Sequence, residues 1–427
     1  MDNAGAKARQ SLTSWIDIPA DCDFSIYNIP FGIFKTTSVP PRCCTAIGNY
    51  VVDLVVLADH GYFNSTGVSP LIFRHENLNA FIALGKENTN KVRDRLIELF
   101  SEDSQELQRE GDLHPFVFYK HDQVTMMLPV KVGDYTDFYS SKEHATNVGS
   151  LFRDPNNALL PNWKHLPVAY HGRASSIVVS GTPLARPQGQ FKKNKDEALP
   201  TFGPTQALDY ELELSFVIGK NSELGEAIPI KKAEEYIFGF TLFNDWSARD
   251  IQSWEYVPLG PFLGKNFMSS ISPWIVTTEA LYPFKTKGPV QDVPVLPYLK
   301  SEGNGSYDIA LEIELQPEGG QATRISGTNF KYLYWNVCQQ LAHHTVNGCN
   351  VCVGDIMASG TISGPARDNA GCLLEQTRNG QDPISFDGTT RKFLQDGDTV
   401  IMKGFAVKDG KRVGFGEVKG KVCGVKT

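Results

Sequence analysis

The chain has no run of apolar residues approaching the roughly 20 needed to cross a bilayer, which excludes a helical membrane span. Its first ten residues, Met-Asp-Asn-Ala-Gly-Ala-Lys-Ala-Arg-Gln, have no apolar centre of the signal-peptide kind, so a cytoplasmic location is expected. Basic charge is not in excess either. Against 48 Asp and Glu stand 41 Lys and Arg, a net charge of −7, so nucleic acid is not an expected partner. A paired-cysteine metal finger is missing too. The eight cysteines include Cys43-Cys44 and Cys349-x-x-Cys352, and one C-x-x-C without a second pair is weak support for zinc or redox work. Reduced, mostly packing thiols are expected. Neither a 20–50-residue repeat nor a low-complexity tract is present, which leaves ordinary globular domains.

What is there fits that class. At 427 residues, 41% hydrophobic and 21% charged, the chain predicts two domains. After a polar lead-in over 1–20, short apolar runs at 24–34, 44–47 and 50–57 alternate with Pro and Gly corners, the grammar of a small β-barrel or sandwich. Helical patterns follow at 78–84 and around Val92, Leu96, Ile97 and Phe100. A polar tail at 101–111 and an extended 124–132 lead to a boundary near residue 125. Beyond it, strands are expected at 175–180, 211–218, 237–243, 274–277, 309–315, 398–402 and 412–418, with helices only at 246–256 and 330–346. The predicted fold is mostly β with some α, with a mixed, rolled β-sheet domain over 126–427.

Residues 136–149 gather a carboxylate (Asp137), a phenol (Tyr139) and an imidazole (His144). Ser140-x-x-Glu143 has the form of a capping box and Gly149 sits where a short helix would stop. His144 is then expected on a first helical turn, with Asp137 on the loop before it. A solvated polar helix start fits the same residues. Strand alternation puts Glu211 and Glu213 on one face, where two carboxylates repel unless solvated or bridged by a cation. Glu312 and Glu314 repeat the pattern, and periodicity does not choose between the pairs. On a helix over 246–256, Asp245, Arg249, Gln252 and Tyr256 would form one polar stripe, facing water or a polar cleft. The Pro/Gly loop at 258–264 then delivers Lys265. The Gly-rich turn at 358–364, with Thr361 exposed, has two readings, a plain hairpin corner or backbone N–H groups offered to an anion, the first favoured, and Glu375 ends an apolar run. His343-His344 is read as structural, since adjacent helical residues diverge by about 100°.

Taken together, 134–149, Leu159-Leu-Pro-Asn-Trp, Tyr170-His-Gly-Arg-Ala-Ser-Ser, Asp209-Tyr-Glu-Leu-Glu, 244–252, 258–265 and Ser359-Gly-Thr-Ile-Ser-Gly-Pro make the chain resemble the fumarylacetoacetate hydrolase family over nearly its whole length. The resemblance implies a small SH3-like β-barrel N-terminal domain over 1–125, a catalytic β-roll and a homodimer. It implies metal ligation by Asp137, Glu211, Glu213 and Asp245, hence by the first Glu pair. Ca²⁺ or Mg²⁺ is the implied ion, with a second Mg²⁺ contact around Lys265 and Ser269, where relatives carry Thr. His144 becomes the general base oriented by Glu375, with Arg249, Gln252 and Lys265 stabilising negative charge. Tyr139, Arg153, Tyr170, Gln252, Tyr256 and Thr361 hold the substrate. The implied reaction is metal-dependent C–C hydrolysis of the β-diketone 4-fumarylacetoacetate to fumarate and acetoacetate, the last step of tyrosine and phenylalanine catabolism. Two other readings are a decarboxylase, isomerase or hydratase of an oxo-acid on the same scaffold, and a binding protein that kept the fold. Relatives of the first kind as a rule lack the full Asp137/Tyr139/His144 stretch. The second would predict loss of His144 or Glu375, and both are present.

Overall fold

The computed structural model describes residues 12–426 except 195 and 304, so the first eleven residues of the polar lead-in lie outside it. The N-terminal region forms a five-stranded antiparallel sheet in the order Phe118–Lys120, Tyr50–Asp53, Arg42–Ile47, Phe31–Lys35, Thr125–Met127. Helix Lys86–Phe100 packs Val92, Leu96, Ile97 and Phe100 inward, the stripe its spacing predicts.

The rest of the chain is built on two larger sheets. One runs Ala169–His171, Tyr135–Phe138, Ile356–Ala358, Leu212–Ile218, Ile237–Asp245, Ser269–Ile271, Ile177–Val179, with Val276–Thr277 added on Ile237–Asp245. It is mixed: Tyr135–Phe138 runs parallel to Ile356–Ala358, and Ile177–Val179 parallel to Ser269–Ile271. The other runs Thr323–Asn329, Ala310–Gln316, Thr399–Lys408, Lys411–Cys423, Leu184–Ala185.

Strands Leu212–Ile218 and Ile237–Asp245 are buried at every position, because their two faces meet two different cores. Leu212, Leu214, Phe216 and Leu242 pack into the core of the C-terminal region. Val217, Phe238 and Phe243 join a cluster with Ile29, Phe31 and Phe81 of the N-terminal region. Phe31 lies 4.8 Å from Phe81 and 6.3 Å from Phe238, ring centre to ring centre. N-terminal side chains thus press on the back of the central strands, and burying each such ring contributes on the order of 2–3 kcal/mol.

Four local expectations are corrected. The helix at His144 is capped by Ser141, whose hydroxyl accepts from His144 N at 3.1 Å, while Ser140 Oγ takes a bond from Gln340 Nε2. That helix runs Lys142–Phe152, straight through Gly149. Glycine is needed there for close approach, since a Cβ would sit 2.1 Å from the Ala158 carbonyl oxygen. The helix expected over 246–256 is shorter, Arg249–Glu255: strand Ile237–Asp245 continues through Asp245, and Ser247 pairs with Asp209. The helix expected over 330–346 is a 3₁₀ turn, Phe330–Tyr332, and a separate α-helix, Val337–Thr345, opened by a capping box at Asn336 and followed by Gly348 with φ +91°.

Candidate active site

Strand register assembles the site. Tyr170 pairs with Asp137, Asp137 with Ala358, and Asp245 with Ser269, so side chains far apart in sequence meet on one patch of sheet. Asp137 therefore sits on a strand, not on a loop. One oxygen from each of Asp137, Glu211, Glu213 and Asp245 lies within 4.8 Å of the others, and all four residues are buried.

Partners divide the four unequally. Lys265 Nζ donates to Glu211 at 2.5 Å and to Asp245 at 2.7 Å. Arg249 Nη1 donates to Glu211 at 2.6 Å. Burial works against ionising Glu211, but Lys265 and Arg249 outweigh it and hold its carboxyl well below the usual range. Burial likewise opposes charge on Lys265, but Asp245 and then Glu211 overcome it and keep it an ammonium. Tyr170 donates to Asp245 at 3.0 Å and Ser269 donates to it at 3.2 Å. Asp137 and Glu213 have no cationic partner among the described residues. Burial, then a neighbouring carboxylate (Asp245 for one, Asp137 for the other), pushes both well above the ordinary carboxyl range.

Glu213 keeps one bond, from the Gly360 N–H at 2.9 Å. Its other oxygen and Asp137 Oδ1 are buried without a hydrogen-bond partner. Buried acceptors are rarely left so, and an all-oxygen, acceptor-only pocket suits a hard divalent cation. The residues fit a metal. The decoy pair fits none: Glu314 takes Lys403 at 2.7 Å and Glu312 lies 3.5 Å from Arg324, on a strand with one half-exposed face.

Beside the carboxylates stands a dyad. His144, on the first turn of its helix, approaches Glu375 Oε2 through Nδ1 at 2.5 Å. Asn147 Nδ2, one turn along, donates to Oε1 at 2.9 Å, and the Ser363 hydroxyl donates to Oε2 at 2.8 Å. Burial opposes charge on Glu375, but His144 and these donors prevail and lower its pKa. An ionised Glu375 accepting from Nδ1–H leaves Nε2 as the ring's acceptor. Tyr139 stacks edge-on at 5.2 Å from the imidazole.

Among the described residues, Arg249 Nη2 and the hydroxyls of Thr361 and Tyr135 are buried at the site without a hydrogen-bond partner. Thr361, expected to be exposed, is only 2% accessible. Gln252 reaches Arg249 through its side-chain oxygen at 3.3 Å. Arg153 and Tyr256 stand outside the buried cluster. Arg153 is exposed, its guanidinium on the Ala158 carbonyl at 2.7 Å, and Tyr256 caps the Arg249 helix at 47% exposure. A cavity of ≈ 420 Å³ opens beside Tyr170, Lys265 and Ser269, with Arg173 and His171 on its wall. A larger one, ≈ 730 Å³, lies along the His144 helix and reaches Glu375.

Sequence reasoning gives no role to Asp209, which accepts from Arg249 Nε at 2.9 Å, to Asn147 and Ser363, or to Cys372, whose Sγ donates to Glu375 Oε2 at 3.2 Å. Asp209 was the most accessible of these, because it extends the Glu211/Glu213 alternation by one step. Asn147, at i+3 from His144, was the next.

Fold and site define a class: a two-part, sheet-built protein whose centre joins a carboxylate cage for a cation to a histidine–carboxylate dyad. Comparison with known proteins narrows it. The family model described as fumarylacetoacetate (FAA) hydrolase C-terminal matches residues 134–423, and that described as fumarylacetoacetase N-terminal matches 27–129. The chain is 50% identical over 417 residues to a fumarylacetoacetase of Dictyostelium discoideum, covering 96% of this chain and 98% of the relative. It is likewise 50% identical over 418 residues to that of Homo sapiens, with the same coverage. A fumarylacetoacetate hydrolase structure from psychrophilic Exiguobacterium antarcticum shares the fold at TM-score 0.54 and 18% identity, covering 93% of this chain and 99% of that one. The chain belongs to the fumarylacetoacetate hydrolase family.

Proposed function

We propose that the chain hydrolyses 4-fumarylacetoacetate to fumarate and acetoacetate, the closing step of tyrosine and phenylalanine breakdown. The observation that carries this reading is the His144–Glu375 dyad set beside a carboxylate cage that still has unpaired acceptors. Breaking a C–C bond with water requires a carbon leaving group that tolerates charge. A β-diketone provides one, because the departing fragment is an enolate.

His144 Nε2 takes a proton from water, and Glu375 holds the tautomer and favours the imidazolium that forms. The water oxygen bonds to the fumaryl carbonyl carbon. Arg249 Nη2, supported by Gln252 and the Lys265 ammonium, donates to the oxyanion, worth about 3–4 kcal/mol per well-placed donor. The bond to the adjacent CH₂ then breaks, its electron pair leaving with acetoacetate as an enolate that takes up on carbon the proton carried by the His144 imidazolium. Ca²⁺ or Mg²⁺ held by Asp137, Glu211, Glu213 and Asp245 would supply Lewis-acid stabilisation of the diketone oxygens. Lys265 and Ser269, both bonded to Asp245, would help to hold that ion's site, with the Lys265 ammonium balancing charge. Tyr139, Arg153, Tyr170, Tyr256, Thr361 and Gln252 orient the substrate, with Arg153 and the hydroxyls suited to its terminal carboxylates.

In the same reading, residues 1–125 form an SH3-like domain, 126–427 form the catalytic roll, and the enzyme works as a cytoplasmic homodimer. The test is loss of fumarylacetoacetate absorbance, followed with chelator and after adding back Mg²⁺ or Ca²⁺. Metal-restored decay supports the assignment, whereas decay indifferent to chelator counts against it.

A further inference from the structure

Asp209 is fully buried, and three of the four bonds its carboxylate accepts come from two other stretches of chain, Arg249 and Leu373-Leu374. Its Oδ2 accepts from Arg249 Nε at 2.9 Å and from Leu374 N at 3.0 Å. Its Oδ1 accepts from Leu373 N at 2.8 Å and from Tyr210 N at 2.8 Å. Leu373 and Leu374 open the single turn Leu373–Gln376 that carries Glu375, and the residue preceding that turn, Cys372, makes no side-chain cap. With Nε on Asp209 and Nη1 on Glu211, the guanidinium has one in-plane orientation, and Nη2 is the end left over.

We infer that Asp209 is a positioning residue that locks the orientation of the Arg249 donor to that of the Glu375–His144 dyad, so that oxyanion donor and base keep a fixed separation. This rests on the roles proposed above for Arg249, His144 and Glu375. Both Asp209 oxygens are occupied by these four protein donors, so its action is indirect. A buried carboxylate that accepts four bonds, one from a guanidinium, holds its geometry tightly.

Asp209→Asn conserves shape but turns one acceptor into a donor, so it cannot satisfy both Arg249 and the two amide N–H groups. Asp398 is the control for burial alone. It too is fully buried, accepting from Arg391 at 2.8 Å on both oxygens and from Gln395 N at 2.8 Å, and its carboxylate bonds to no residue of the cage or the dyad. The experiment measures kcat and KM on fumarylacetoacetate for Asp209→Asn, Glu375→Gln, the double variant and Asp398→Asn, all as metal-loaded full chain below their melting temperatures. We expect kcat of Asp209→Asn to fall about 10- to 100-fold, the range seen when an orienting partner is lost. KM should move less than about threefold, and the double variant should be nearly as slow as Glu375→Gln alone, since both act through one unit. Asp398→Asn should lose thermal stability with kcat within about twofold. If Asp209→Asn does not fold, Asp209→Ser, which leaves room for water at the freed N–H groups, is read by the same criteria. Near-normal kcat, or losses that multiply in the double variant, would overturn the inference while a slow Glu375→Gln keeps the dyad. A Glu375→Gln of normal rate would remove the dyad and this inference with it.

Discussion

Exchanging Glu213 for Gln tests the cage at the carboxylate with the least compensation. Glu211 and Asp245 are held by Lys265 and, for Glu211, by Arg249 as well. Glu213 has only the Gly360 N–H, and its second oxygen is unpaired. The amide preserves volume and can still accept from Gly360. It removes one charge and points a donor, or a weaker acceptor, at the ion. Breaking one partner of a buried charge pair costs about 2–5 kcal/mol, and at about 3 kcal/mol the dissociation constant rises about 10²-fold. The chelator-stripped protein should not suffer equally. Burial and Asp137 already push Glu213 toward its neutral form, and Gln resembles that form. Calorimetric titration of stripped protein with Mg²⁺ and Ca²⁺, paired with melting curves, therefore has a distinctive expectation: weaker binding with stripped-state stability unchanged or raised. Glu314→Gln is the comparison, since it breaks only a pair whose lysine is 40% exposed, worth about 0.2–1 kcal/mol, and should leave metal affinity alone. Equal effects of the two substitutions would refute the placement of the ion.

The raised carboxyls also set a pH dependence. A group whose folded pKa exceeds its unfolded one contributes stability that is complete below the unfolded value, near 4, and disappears as pH climbs through the folded value. For Asp137 and Glu213 this means the chelated protein weakens as pH rises above about 4, while metal meets less competition from protons. The metal-induced rise in melting temperature should grow between about pH 5 and about pH 8; melting curves with and without chelator across that range check it. Gly149→Ala drives a methyl group to 2.1 Å from the Ala158 carbonyl oxygen and must shift the helix that carries His144. Denaturant titration should show a loss of about 1–3 kcal/mol, with lower turnover as well.

The architecture was legible where periodicity and burial coincide, as on helix Lys86–Phe100, and where turn residues bracket strands. Which Glu pair holds the ion was not. Glu211/Glu213 and Glu312/Glu314 alternate identically, and the difference lies in their sheets. Leu212–Ile218 is a central strand covered on both faces, whereas Ala310–Gln316 leaves one face half-exposed to Lys403 and Arg324. Only family resemblance separated them in advance. Ser140 and Ser141 are both competent caps, and the demand of Gln340 for Ser140, from 200 positions away, decides between them. Gly149 reads as a terminator locally because its reason, the Ala158 carbonyl, is a tertiary contact. That the strand reaches Asp245, and that Ser247 then pairs with Asp209, is likewise set by tertiary neighbours rather than by local sequence.

The central claim is that an imidazole aims water at a carbonyl beside a caged cation. Its most direct measurement is turnover of fumarylacetoacetate by His144→Ala, with bound metal quantified in the same sample. The expected rate is at least about 10²-fold below that of the unaltered chain, with metal content unchanged. Near-normal turnover at full metal occupancy would contradict it.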